Sequence, residues 1–297
     1  MPAMTGDSPA LTLADCRIQI RRRTSRWDEY PVTIADAADF WGAAASAANV
    51  IMQLSWPGVG YGVVESKVDS GNLLKHPWKR ARTTFQYLAV AILGNDEDRA
   101  AMRKAVDTAH RQVQSGPDSP VRYNAFDRDL QMWVAACLFV GMEDVYQLLR
   151  GELTPELAEQ FYRSAAPLGT TLQVTDDQWP ATRAEFDDYW TAACAKVTMD
   201  DAVRAYLTDL VRLKMINPVL ALPFRPLLAF LTGGFLAPVF RDAMRMSWGS
   251  GRQYLFETLF RLVAFVNRFL PLFVRQAGSY VLLAYVRRQI RRDGALI

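Results

Sequence analysis

Apolar residues recur every three or four positions along most of this chain, which is the period of one face of an α-helix. In the range 77–93, for example, Phe85, Leu88 and Ile92 share one side. The pattern predicts further helices over 33–54, 95–114, 127–150, 182–189, 198–213 and 270–292, and one that starts at Thr154. No segment alternates as a strand hairpin would. We therefore predict an all-α protein, with one large helical domain over 28–297 after a polar, partly flexible leader over 1–27.

Residues that start and stop helices support this division. Asn95 is a good N-cap, and the acidic residues at 96–98 suit the positive end of the helix that follows it. Gly94 predicts a left-handed cap for the helix before it. The glycine-rich segment 57–62 predicts a loop, because glycine and proline are the strongest breakers of regular structure.

Composition indicates a folded protein, and the overall charge does not suggest a nucleic-acid binder. The hydrophobic fraction of 51% is ample for a large core, and a net charge of +3 gives no reason to expect a nucleic-acid binder. Arginines nevertheless cluster near both ends, at Arg17, Arg21, Arg22, Arg23 and Arg26 and at Arg287, Arg288, Arg291 and Arg292. We interpret them as solvated helix faces. The alternatives are a contact with an acidic membrane and a clamp for haem propionates.

The sequence predicts a cytoplasmic protein. Its first nine residues lack the order of a secretory signal, and its three cysteines have no CxxC spacing. Two apolar stretches, 40–64 and 216–240, are interrupted by polar residues, glycines or prolines, so we expect no transmembrane helix. An apolar surface that contacts a membrane peripherally is compatible with these stretches.

The chain has only two histidines, which restricts the kinds of metal site that it could form. His110 shares an apolar helix face with Val106 and Val113, a setting that more often marks a core residue than a ligand. One histidine is too few for a catalytic zinc site, but it is enough for a haem, whose porphyrin supplies four nitrogens. His76 precedes a proline, and we interpret it as a loop residue.

The order of short motifs adds a family resemblance. The motifs are MQLSWPGVGYGVVE at 52–65, PWKRARTTFQYL at 77–88, Gly94, AHRQV at 109–113 and YNAFDRDLQMWV at 123–134, followed by a Thr-Pro-Glu helix start. Over roughly 40–290, this succession resembles the catalytic domain of the MpaB-type and latex-clearing (rubber) oxygenases.

The resemblance implies a globin-like helical core that holds a b-type haem (heme b) and its iron. His110 corresponds to the family's iron ligand. Arg80 and Thr84 correspond to its arginine and threonine at the haem pocket, and Arg82 is a rival for the arginine. Glu65 lies where rubber-cleaving members carry a glutamate, although a surface carboxylate is an equally good interpretation.

Two positions depart from the family pattern. Thr83 replaces the lysine that rubber-cleaving members place beside the threonine, and Ala135 replaces a histidine that many relatives carry after Trp-Val. The lysine would ligate the iron from the distal side. Its absence puts rubber-type chemistry in doubt and leaves His110 as the one histidine inside a matching motif.

The resemblance implies a haem-dependent oxygenase that uses dioxygen on an apolar, isoprenoid-like small molecule, by oxidation or by oxidative cleavage of a carbon–carbon double bond. Two alternatives stay open at this point. One is a haem or gas-binding protein without enzymatic activity that uses the same His110 ligation. The other is a haem-free helical scaffold at a membrane surface, in which His110 is a core residue and the terminal arginines contact acidic lipid.

Overall fold

The computed structural model describes residues 10–20, 32–66, 74–292 and 294–296. Arg21, Arg22, Arg23 and Arg26 of the N-terminal basic cluster lie outside these ranges, as does most of the predicted leader. In the described residues the structure is helical and contains no β-strand, with one isolated bridge between Gln114 and Asn124. The prediction of an all-α protein is confirmed.

The helices follow one another with short connections. In the described residues, the α-helices are α1 Ser46–Leu54, α2 Pro57–Val64, α3 Pro77–Leu93, α4 Asp96–His110, α5 Arg128–Arg150, α6 Pro155–Arg163, α7 Pro167–Thr170, α8 Arg183–Cys194, α9 Asp201–Val211, α10 Pro218–Ala221, α11 Arg225–Phe235, α12 Pro238–Ala243, α13 Ser250–Asn267 and α14 Leu272–Ile290. Short 3₁₀ helices span Leu13–Cys16, Ile34–Ala37 and Phe40–Ala45. The predicted helix over 33–54 is therefore α-helical only in its second half.

Local capping explains most helix ends. The Asn95 side chain accepts a hydrogen bond from the Asp98 amide at 2.9 Å, and the Asp98 carboxylate accepts one from the Asn95 amide at 3.0 Å. Gly151 ends α5 with a φ of 102°, in the region that favours glycine. Gly94 also ends its helix, but its φ is −73°, so the predicted left-handed cap is wrong.

The glycine-rich segment 57–62 forms helix α2, so the predicted loop there is wrong. Its glycines allow the helix to pack closely against neighbouring segments. A Cβ atom at Gly60 would lie 2.8 Å from the Leu54 carbonyl oxygen and 3.1 Å from Val203, so a side chain there would push α9 away. Proline at the first helical position costs no hydrogen bond, which allows Pro57 to start the helix.

Three stacked indoles form the centre of the core. Trp133 on α5 lies between Trp56, at a centroid distance of 4.8 Å, and Trp190 on α8, at 5.1 Å. Each indole N–H donates to a backbone carbonyl: Trp56 to Ala193 at 3.1 Å, Trp133 to Gln53 at 3.0 Å and Trp190 to Cys16 at 2.9 Å. The stack thus joins four distant parts of the chain without leaving a buried donor unpaired.

A buried ionic cluster joins the N-terminal segment to α5 and α8. Arg17 donates to Glu143 at 2.7 Å and to Asp144 at 3.0 Å, and Arg183 also pairs with Glu143. Burial alone would raise the pKa of Glu143, but the two arginines outweigh that effect and lower it. The interpretation of Arg17 as a solvated residue is therefore wrong. Arg287 is likewise paired, with Asp98 at 2.8 Å.

We expect Glu143→Ala to lower the free energy of unfolding by about 3–5 kcal/mol, because it leaves Arg17 and Arg183 buried with too few counter-charges. Urea denaturation followed by circular dichroism measures this change. Lys214→Ala is the matched control, since it removes an exposed pair with Asp209 and should change stability by less than about 0.5 kcal/mol. Equal losses in both variants would contradict the assignment of a structural role to the cluster.

Candidate functional site

Three of the candidate residues, Arg80, Thr84 and His110, lie at one end of the α3–α4 hairpin. Only Gly94 and Asn95 connect the two helices, which contact each other and have similar lengths. The start of α3, with Arg80 and Thr84, therefore lies beside the end of α4, where His110 is the last helical residue. The helix ends at His110 and not at the predicted residue 114, so Val113 belongs to the following loop.

His110 is half-buried, and its ring is held by a glutamine. Its Nδ1 atom lies 3.4 Å from Oε1 of Gln173, and its ring meets that of Phe126 edge-on at 6.3 Å. An amide oxygen only accepts hydrogen bonds, so Nδ1 carries the proton. The second ring nitrogen, Nε2, then presents its lone pair. Metal-ligating histidines are commonly oriented by this arrangement.

Gln173 is itself fixed by two neighbours. Its backbone amide donates to Oε1 of Gln131 at 2.7 Å, and the Gln131 side-chain amide donates back to Gln173 Oε1. The Gln173 side-chain amide donates to the Asp107 carboxylate, one turn before His110 on α4. Gln131 also donates to the Ala125 carbonyl at 2.6 Å, which ties the loop that carries Phe126 to the same network.

The surroundings of His110 favour its neutral form. Burial is the largest influence and lowers the pKa of His110. The hydrogen bond to Gln173 raises that pKa, the nearby positive charge of Arg80 lowers it, and Asp107 raises it again, with a net lowering from the ordinary value of 6.5. A neutral imidazole is the form that binds a metal ion.

Arg80, and not Arg82, is the arginine near His110. Arg80 has an exposed side chain, yet the protein around its guanidinium desolvates it enough to lower its pKa, against the opposing influence of Tyr206. A guanidinium stays charged under such conditions. Arg82 lies 5.9 Å above the Tyr285 ring of α14 and so belongs to a different face of α3.

The two threonines beside Arg80 bond to their own helix. Thr84 donates to the Arg80 carbonyl at 2.9 Å, and Thr83 donates to the same oxygen at 3.0 Å. Thr84 is half-buried, whereas Thr83 is buried. The position at which rubber-cleaving members carry a lysine therefore holds a short side chain that the helix backbone engages.

Glu65 lies at the end of α2 and accepts a hydrogen bond from the Tyr123 hydroxyl at 3.0 Å. Burial and this carboxylate raise the pKa of Tyr123 to about 12, so its phenol remains a donor at neutral pH. On the same helix Tyr61 donates to Asp200. The loop that follows His110 packs against α2, since a Cβ atom at Gly62 would lie 3.5 Å from Tyr123 and 3.7 Å from Val113.

Sequence reasoning missed most of the partners of these residues. Asp107 lies three residues before His110, so helical spacing alone would place it near the histidine. Tyr123 is the first residue of a motif that the sequence analysis quoted. Gln173 lies 63 residues from His110 and in no motif, so nothing in the sequence pointed to it.

The donor set around His110 is too small for a metal ion held by protein side chains alone. Within the described part of the chain, no group of three or more His, Cys, Asp and Glu side chains could hold a metal ion. A haem can be held by one axial imidazole, because its porphyrin supplies four nitrogens, and an aromatic side chain and a cation can contact its ring and propionates. His110, Phe126 and Arg80 offer these three features.

A large open cavity lies away from these residues. Its volume is about 1390 Å³, and its lining includes Arg17, Glu143 and Arg183 of the ionic cluster. Glu143 is twelve residues beyond Gln131 on α5, or about 18 Å at 1.5 Å per residue. We do not assign the cavity to the candidate site.

Comparisons with known proteins match the chain to one family. The family model described as "ER-bound oxygenase mpaB/B'/Rubber oxygenase, catalytic domain" matches residues 36–265, which include every candidate residue. Two uncharacterized proteins, one from Mycobacterium bovis and one from Mycobacterium tuberculosis, are each 49% identical to the chain over 225 residues. Those residues cover 76% of this chain and 88% of each relative. No solved structure matches the chain.

We expect Arg80→Gln to raise the pKa of His110, because it removes a positive charge that disfavours the imidazolium. Arg82→Gln is the matched control and should leave this pKa unchanged. NMR titration of the imidazole signal measures it, in a His76→Gln background that leaves one histidine. An equal response to both substitutions would show that Arg80 is not the neighbouring cation.

The lowered pKa of His110 also predicts a pH dependence of stability. As the pH falls below the ordinary value of 6.5, the unfolded chain takes up a proton that the folded chain resists, so stability is lost. The slope from this residue cannot exceed about 1.4 kcal/mol per pH unit. Urea unfolding between about pH 8 and pH 5 should show a shallower decline for His110→Gln than for wild type, and an equal decline in the two proteins would contradict the prediction.

Proposed function

The chain belongs to the family of the MpaB and rubber oxygenase catalytic domains, and we propose that it is a haem b-dependent oxygenase acting on an apolar, isoprenoid-like small molecule. An oxygenase activity follows from the family itself. The cofactor and the substrate class are our proposal. One observation carries it: the surroundings of His110 lower its pKa, and its Nδ1 atom contacts Gln173, which leaves Nε2 to act as a ligand, with Arg80 nearby.

His110 and Arg80 would hold the haem. The Nε2 atom of His110 is the proposed iron ligand, and the hydrogen bond from Nδ1 to Gln173 would fix the orientation of the ring. Arg80 would pair with a propionate or stabilise negative charge that develops during the reaction. When bound, the haem would supply the iron that binds and activates dioxygen.

Thr84 and Glu65 would act around the substrate. The Thr84 hydroxyl donates to the helix backbone, so it offers a lone pair as an acceptor and would become a donor only by leaving that bond. Glu65 accepts a hydrogen bond from Tyr123, and its carboxylate would take up a proton from the substrate and return it before the products leave, so no net proton is lost. The distal lysine of rubber-cleaving members is Thr83 here, so this position supplies no amine ligand.

The proposed reaction is oxidative cleavage of a carbon–carbon double bond. Both atoms of dioxygen enter the product, one on each former alkene carbon, and the alkene becomes two carbonyl groups. This stoichiometry balances without an external electron donor. An isoprenoid chain fits this reaction because its only reactive groups are its double bonds.

The first test is the ultraviolet–visible spectrum of the full chain purified from cells supplied with haem. We expect a Soret band and near-stoichiometric haem in wild type and in His76→Ala, the matched control. We expect at least a ~10-fold loss of bound haem, or a shifted Soret band, in His110→Ala. Wild-type protein that binds no haem would refute the proposed cofactor.

Oxygen consumption then separates an oxygenase from a haem protein that only binds gas. Haem-loaded wild type should consume dioxygen and release carbonyl products with an isoprenoid alkene such as squalene. Product formation should fall by about 10-fold or more in Arg80→Leu and remain in Arg82→Leu. Haem binding with no turnover on any of several alkenes would favour the gas-binding alternative.

A further inference from the structure

Helices α13 and α14 carry apolar side chains on their outer as well as their inner faces. Phe256 and Phe260 of α13 are buried. On its outer face Leu255 and Leu262, seven residues apart, are exposed, and Phe269 is exposed just beyond the end of the helix. The outer face of a helix in a soluble protein is ordinarily polar. α14 shows the same departure, with exposed side chains that include Phe273, Tyr280 and Val281.

The exposure is greatest where the two helices meet. α13 and α14 form a bend of 95°, and Phe269 and Phe273 on either side of it are 67% and 73% exposed. Leu272 and Val274 are exposed beside them. We name the segment 265–274 the α13–α14 corner. A continuous apolar surface of this kind marks a site of contact with another molecule or with a membrane.

Positive charge accompanies this apolar surface. The range 214–297 contains twelve basic and three acidic residues, in a chain whose net charge is only +3. In the described residues of α13 and α14 the one acidic side chain is Glu257, which lies 3.8 Å from Arg261. Arg268 is exposed at the corner itself, and Arg288 is exposed near the far end of α14. Residues 1–213 contain more acidic than basic residues, which is why the net charge of the whole chain is small.

We propose that the α13–α14 corner docks this protein on an anionic phospholipid bilayer. Phe269, Leu272 and Phe273 would enter the boundary between the headgroups and the acyl chains. Arg261 and Arg268 would reach the lipid phosphates while their stems stay against apolar surface. The inference uses the exposed surface and its charge, and it does not rest on the proposed function.

Charge favours a bilayer over a second copy of the chain as the occupant. A symmetric contact between two corners would bring one basic surface against another with little acid to compensate. An anionic bilayer supplies negative phosphates instead, and its attraction is worth about 1 kcal/mol for each arginine near the surface.

The beginning of α14 is anchored in the protein, which supports surface docking over spanning. Arg275 pairs with Asp39 at 3.1 Å, and Gln276 donates to the Ala35 carbonyl at 2.6 Å. Among the described helices, α5 alone is long and apolar enough to cross a membrane unaided, and most of it is buried in the core. α13 and α14 meet that criterion only when taken together across their bend.

The test is flotation of the full chain with two kinds of vesicle, phosphatidylcholine alone and phosphatidylcholine with about one third phosphatidylglycerol. Wild type should float with the anionic vesicles and bind less as salt rises. F269S/F273S should reduce binding at least ~10-fold, because it removes the two largest side chains expected to insert. R261Q/R268Q should weaken the preference for anionic vesicles.

The matched control is V219S/L220S, which alters two exposed apolar residues of α10 outside the corner and should bind as wild type does. Circular dichroism and urea unfolding should show all variants folded, since the altered side chains are exposed. Equal loss of binding in both apolar pairs would overturn the assignment to the corner. The assignment would also be overturned if wild type did not bind vesicles and was instead a dimer that F269S/F273S converted to a monomer. Light scattering measures this oligomeric state.

Discussion

The stack of Trp56, Trp133 and Trp190 places three flat, fully packed side chains at the centre of the protein. Each ring buries a large apolar area, and stacked aromatic pairs add about 0.5–1.5 kcal/mol to that burial. Because each indole N–H also donates to the backbone of another segment, the rings are fixed in rotation as well as in position. Large rigid groups of this kind leave the helices around them little freedom to slide.

His110 and Glu65, the two ends of the candidate site, are each positioned by a segment that begins at this stack. Trp133 lies two residues after Gln131, which holds Gln173, and Gln173 in turn orients His110. Trp56 directly precedes α2, so it fixes the start of the helix that ends at Glu65. Packing therefore favours the neutral form of His110. Burial lowers its pKa, and the Gln173 side chain, which the core holds in place, accepts a hydrogen bond from Nδ1.

Helix α14 links the proposed membrane surface to the candidate site, because it also packs on the α3–α4 hairpin, which carries Arg80 and His110. Arg82 of α3 lies over Tyr285 of α14, and Arg287 of α14 pairs with Asp98 at the start of α4. A protein docked through the corner would hold this hairpin at a fixed height above the bilayer. Apolar substrates dissolve in the bilayer, so this arrangement would suit an oxygenase that takes them from lipid.

The sequence by itself determined the features that depend on neighbours within a few residues. Periodicity and caps such as Asn95 defined the helices, and the scarcity of histidine singled out His110. Tertiary structure decided the rest. Residues 57–62 became a helix because close packing at Gly60 outweighs the helix-breaking tendency of glycine. Arg80 and not Arg82 influences the charge state of His110, and Gln173 is the hydrogen-bond partner of His110. Both depend on how distant segments pack, which no local pattern encodes.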